Sequence, residues 1–167
     1  GDFFTAGSPE NGFGLEIDGV EFSNNASGAD YGIPNTTDII HTTDGSCIIV
    51  NWQGEVDGVK ININYRLKNE ALYCTTEITL INSTDEDLID LYYYRSLDPD
   101  NNQPLTGNFT TVNTIVAQPD SSCQKALVSA TQELPFPSYL GLGAIGSKFR
   151  VTHGGFSNRS GSDIWNG

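Results

Sequence analysis

"VKININYRL", Val59 to Leu67, alternates without a break: Val59, Ile61, Ile63, Tyr65 and Leu67 fall on one face, and Lys60, Asn62, Asn64 and Arg66 on the other. A period of two residues belongs to a β-strand, and one apolar face backed by a polar one marks a strand lying on a core with its other side in water. Upstream, "CIIVNW" reads as a second strand, and "QGEVDGV" between the two holds Asp57-Gly58, a pair that tolerates the positive φ of a two-residue hairpin. Downstream, "KNEA" turns the chain into Leu72 to Ile81, and "NSTDED" turns it again into Leu88 to Leu97. These segments predict a four-strand antiparallel meander.

Further strands are expected at Gly14 to Phe22, Val112 to Ala117, Lys125 to Ala130, Tyr139 to Ile145 and Lys148 to His153, and no segment shows a sustained helical period. About nine short strands and little helix imply an all-β, antiparallel β-sandwich, jelly-roll or Greek-key-like, because two sheets must cover each other's apolar faces. Residues 24 to 46 form the longest irregular stretch, a loop long enough to be functional or to cover an edge. The 167 residues suit a single domain, 1–167, and the lack of any Met, even at position 1, suits a module excised from a longer chain. No apolar run approaches the roughly 18 residues of a membrane helix.

Lys and Arg number 8 against 21 Asp and Glu, a formal charge of -13. That balance repels nucleic acid and anionic membrane surfaces, and it suits bound divalent cations or a saline extracellular setting. Cys47 and Cys74 lie in strand-like runs as small hydrophobes. Cys123, in "PDSSCQK", reads as a turn residue open to reaction.

The meander alternates its turns between two ends of the sheet. Glu55 and Asp57 should therefore share one end with Asp85, Glu86 and Asp87, while Asp98, Asp100, Asn101 and Asn102 lie at the other, beside Asn69 and Glu70. In "DPDNN", Asp98, Asp100, Asn101 and Asn102 supply the hard oxygens that Ca²⁺ takes at about 2.3–2.6 Å, and Pro99 limits the entropy lost when both carboxylates turn to one ion. The spacing is not that of an EF-hand, since Gln103 and Phe109 stand where its glycine and glutamate would be. Such residues also make plain solvated turns. "STDEDLID" offers a second acidic cluster, with Asp85 and Asp87 as candidate calcium ligands.

Of the three tyrosines after it, Tyr93 shares a face with Ile89 and Leu91, whereas Tyr92 and Tyr94 point the other way and are candidates to line a groove. Arg95 carries a fork suited to a carboxylate. In the C-terminal "VTHGGFSNRSGSDIWNG", Gly154 and Gly155 permit a backbone that wraps a ligand, and Asp163 is a further binding candidate. Catalysis has little support: Asp38, His41, Asp44 and Ser46 are too close in sequence to suggest a triad, and no phosphate loop, dinucleotide fingerprint or zinc spacing is present.

The opening "GDFFTAGSPENGFGLEI", the central "LYYYRSLDPDNN" and the closing "HGGFSNRSGSDIWNG" together resemble the peptide-binding, or ligand-binding, domain near the C-terminal end of giant bacterial adhesins of the RTX type. The resemblance implies a calcium-rich β-sandwich, extracellular, on the cell surface of a Gram-negative bacterium, serving adhesion as a monomeric module of a larger chain. It also implies that Ca²⁺ takes part in gripping the C-terminal carboxylate of a peptide on a partner cell-surface protein. Three cysteines depart from the usual composition of such adhesins. The alternative is a calcium-dependent carbohydrate-binding module, in which the ion chelates glycan hydroxyls and Trp52, Trp165 or a tyrosine stacks on the sugar.

Overall fold

A computed structural model describes residues 11–24, 32–100, 103–133, 137–154 and 160–166. Among them the chain is all-β: ten strands in three antiparallel sheets, with two short helical turns.

The strand that organises the sequence organises the structure. It is β5 (Val59–Lys68), paired on one side with β4 (Cys47–Val56) and on the other with β6 (Cys74–Asn82). On the far side of β4 lies β3 (Ile40–Asp44), giving the order β3-β4-β5-β6. A second sheet has the order β2-β1-β7, from β1 (Asn11–Ile17), β2 (Val20–Ser23) and β7 (Leu91–Leu97).

The apolar faces of these two sheets meet. Val59, Ile61 and Ile63 of β5 pack with Phe13, Leu15 and Ile17 of β1 and Phe22 of β2, and Trp52, Val56, Tyr65, Ile78, Leu80, Leu91 and Tyr93 close around them. Leu15, Val59, Ile61 and Ile63 are almost wholly withdrawn from water. Each such side chain contributes about 1.5–3 kcal/mol from burial.

The third sheet, β10-β9-β8, comprises β8 (Val112–Ala117), β9 (Lys125–Gln132) and β10 (Ser138–Ile145). None of its residues belongs to that core cluster. The Gln118 side-chain amide donates to the Val151 carbonyl and accepts from its N–H, tying residue 151 to the end of β8 as a strand partner would.

Four expectations are corrected. The stretch from Gly14 to Phe22 is two strands, because Asp18 and Gly19 adopt φ of 48° and 81° and fold it into a hairpin, just as Asp57 and Gly58 do at 46° and 74°. Part of the expected loop at 24–46 is β3, joined to β4 by a third tight turn at Gly45-Ser46. Residues 148–153 form no strand.

The fourth correction concerns the meander. The segment ending at Leu97 leaves the sheet of β6 and pairs with β1 instead, Gly14 opposite Tyr94 and Leu15 opposite Tyr93. Moving β7 into the second layer lets Leu91 and Tyr93 cover the apolar face of β5. The shared end of the first and third turns survives the change: the N–H and hydroxyl of Ser83 donate to the Gly58 carbonyl at 2.8 and 2.9 Å. The placement of Asp98 beside Asn69 and Glu70 does not, because it needed β7 next to β6.

Candidate functional site

Strand β7 ends where Pro99 removes a ladder donor. The chain then tightens: the Asp100 N–H donates to the Asp98 carbonyl at 3.1 Å, and the Asp100 carbonyl accepts from the Gln103 N–H at 3.4 Å as α1 (Gln103–Thr106) begins. This turn carries Asp100 inward, to 6% exposure, while Asp98 stays half-buried. Among the described residues no donor and no cation compensates the Asp100 carboxylate, so burial pushes its carboxyl above the usual aspartate value. It lies shallow, just beneath the surface. Asn101 and Asn102 lie outside the described residues.

Beside this turn, Arg95 is engaged within the fold. One terminal nitrogen donates to the Tyr65 hydroxyl at 3.3 Å, the other donates to Asn11 Oδ1 at 2.9 Å, and the guanidinium sits 5.1 Å from the centre of the Tyr65 ring. Tyr93 stacks on Phe13 at 6.2 Å, and burial pushes its phenol up to about 12, against a weaker pull from the Arg95 charge.

Tyr92 is half-buried, and Tyr94 is not exposed as expected: it is 5% exposed. The reason is that β1 is buried on both faces. The Tyr94 ring crosses the bare backbone of Gly14, where a side chain would collide with it, and Tyr92 lies under Gly161. Trp52, expected as a sugar-stacking platform, faces the core with its ring 4.9 Å from Phe13, edge to face. Trp165 is partly exposed, with the Arg150 guanidinium 5.4 Å from its ring.

The second acidic cluster is built differently. Asn82 Oδ1 accepts from the N–H and hydroxyl of Thr84 at 2.9 and 2.6 Å, and the Asn82 amide donates to the Glu86 carbonyl at 2.7 Å. The loop closes on itself, leaving Asp85, Glu86 and Asp87 exposed in water.

At the C-terminus, Gly154 is exposed with open space around it, and Gly155 lies outside the described residues. Asp163 sits exposed in the first turn of α2 (Gly161–Asn166), its N–H donating to the Ser160 hydroxyl at 3.2 Å. That same hydroxyl donates to Glu16 Oε2 at 2.9 Å, and the Ser162 N–H donates to it at 3.0 Å. Burial acts to raise the Glu16 carboxyl. The hydrogen bonds from Ser162, Ser160 and Gly161 outweigh it and hold the group below the usual glutamate value. Nothing in the local sequence of β1 signals this role for Glu16, although Ser160 three residues before Asp163 is a recognisable helix-start pattern.

Cys123 sits half-buried in a turn held by Asp120, whose Oδ1 accepts from the Ser122 N–H and hydroxyl and the Cys123 N–H, each at 2.7 Å. Those bonds hold the Asp120 carboxyl below its usual value. Among the described residues no three His, Cys, Asp or Glu side chains converge. Comparison with family models, curated proteins and solved structures finds no match.

Proposed function

We propose that this chain is a calcium-dependent binding module of an RTX-type bacterial surface adhesin, recognising the C-terminal carboxylate of a peptide on a partner cell. The observation that carries the reading is Asp100: a residue only 6% exposed, its carboxyl raised by burial, with no compensating charge or donor among the described residues. Maintaining an uncompensated buried acid costs stability unless a cation completes the site.

Asp98 and Asp100, with Asn101 and Asn102 following, would hold Ca²⁺. A bound Ca²⁺ with positions left open supplies the attraction for an incoming carboxylate. The half-buried Tyr92 serves the reading as an amphipathic ring on the same strand. Arg95 fixes the strand to Tyr65 and Asn11, so its part is to hold β7 rigid. The exposed Asp85 and Asp87 lie in a loop that satisfies itself, and the proposal assigns them no ion. The extracellular setting is supported by the charge of -13, which favours solubility in saline and binding of divalent cations.

Calorimetric titration of a short peptide library tests the reading, each peptide made with a free C-terminal carboxylate and again as the amide. Binding of the free acids in calcium, absent for the amides and absent in EDTA, is the expected result. Equal binding of acid and amide forms would exclude carboxylate capture. Binding only of glycans, and only in calcium, would favour the carbohydrate alternative.

A further inference from the structure

The outer face of β4, β5 and β6 carries a patch of amide side chains that the peptide site does not use. The register sets Asn51 opposite Asn64 and Asn64 opposite Glu77 in one row, and Gln53 opposite Asn62 and Asn62 opposite Thr79 in the next. These six residues line one shallow depression. Neighbouring strands set the columns about 4.8 Å apart, and alternate residues set the rows about 6.8 Å apart.

Three features separate this patch from an ordinary wet sheet face. Asn is depleted in strands because it packs poorly on a pleated surface, yet three Asn and a Gln occupy the two inner strands of this sheet. Such a breach of local preference concentrates at functional sites. Second, Asn64 Oδ1 is fully buried and has no hydrogen-bond partner. An acceptor left so is costly, and a native protein that keeps one calls for a reason. Among the described residues, none of the six side chains hydrogen-bonds to another protein group.

Third, the charge on this face cancels. Lys60, Arg66 and Lys68 lie on the outer side of β5, and Asp44, Glu55 and Glu77 lie on the outer side of β3, β4 and β6, Glu55 directly opposite Lys60. Three cations meet three carboxylates, in a molecule whose formal charge is -13. The surplus negative charge lies elsewhere, so this face favours neither a polyanion nor a polycation.

We infer that the outer face of β4, β5 and β6 binds a neutral polyhydroxylated chain, an oligosaccharide, without metal. Side-chain amides offer two donors and an acceptor each, which matches the donor-and-acceptor character of sugar hydroxyls. A swing of the Asn64 amide toward the sugar would bring its buried, unpartnered Oδ1 within reach of a hydroxyl donor. No aromatic platform contributes here, since Trp52 faces the core, so the affinity rests on multiple hydrogen bonds and is modest.

The test follows the side-chain amide resonances of ¹⁵N-labelled protein during titration with cellohexaose, maltohexaose and mannohexaose, in calcium and again in EDTA. Expected are saturable shifts of the Asn51, Gln53, Asn62 and Asn64 signals with at least one sugar, equal in the two buffers. Asn62→Thr combined with Asn64→Thr should weaken binding by at least about tenfold. Threonine suits a strand better than asparagine, so this variant should keep its fold and its Tm. Asp98→Asn with Asp100→Asn should leave the sugar titration unchanged, which separates this site from the peptide site. Absence of shifts with all three sugars would overturn the inference, as would shifts that survive the double threonine variant or vanish in EDTA.

Discussion

Glu16 and Asp100 are both acids withdrawn from water, one on β1 and one just past β7, and the fold treats them in opposite ways. The Glu16 carboxylate accepts from Ser160 and Ser162, and those donors hold its carboxyl below the ordinary value despite burial. Among the described residues Asp100 meets no such donor, and burial moves its carboxyl up. One charge is spent inside the molecule, tying the C-terminal segment to the second sheet. The other is the group that the proposed calcium site would use. Counting acids does not reveal this: the densest run, Asp85 to Asp87, is exposed, and in water its mutual repulsion is largely screened.

The largest effect expected from this contrast is on folding. Glu16→Ala leaves the Ser160 and Ser162 donors without their acceptor and should destabilise by about 1.5–3 kcal/mol, read from urea unfolding. A loss near zero would mean that water replaces the carboxylate there.

The pH dependence should separate the two acids by sign. A folded-state value below the ordinary 4.5 means that Glu16 contributes stability present above that pH and lost as pH falls through its lower folded value. A folded-state value above the ordinary 3.8 means that metal-free Asp100 favours folding while protonated, a contribution lost as pH rises through its higher folded value. Glu16→Gln should therefore flatten the acid limb of the stability curve in EDTA, and Asp100→Asn should steepen it. Identical curves for both variants would break the comparison.

Smaller effects follow. In EDTA, Asp100→Asn should raise stability slightly, by less than about 1 kcal/mol, because a neutral amide replaces a charge that burial disfavours. Asp85→Asn with Asp87→Asn should change stability by no more than about 0.5 kcal/mol and leave any calcium effect intact. A calcium effect that disappears with this pair would move the site to the exposed loop.

Much of the fold is legible in β5. Its strict alternation names Val59, Ile61 and Ile63, the centre of the core, and Asp57-Gly58 names the hairpin before it. The same physics at Asp18-Gly19 was there to be read, but Val20 and Phe22 continue the apolar pattern and disguise the break. Strand β3 is harder: every residue in it is exposed, so "IHTTD" has no buried face and no period to show. The sheet to which β7 belongs is not a local property at all, since Leu91 and Tyr93 would fill a core from either layer.

The site divides in the same way. Aspartates two apart around a proline are visible in the sequence, whereas the burial that sets Asp100 apart from Asp85 arises only when the chain turns after β7. Glu16 meets Ser160 across 144 residues, beyond any local pattern. The amides of β5 were visible as the polar half of an alternation, but the rows they make with Asn51, Gln53, Glu77 and Thr79 exist only once the strands are in register.

Thermal unfolding of the unsubstituted chain and of Asp100→Asn, each in EDTA and in excess calcium, tests the central claim most directly. At calcium about a hundredfold above Kd, mass action predicts about 2.7 kcal/mol of added stability for the unsubstituted chain. The account predicts that rise in Tm, and none for Asp100→Asn. An unchanged Tm in the unsubstituted chain, or an equal rise in both, would contradict it.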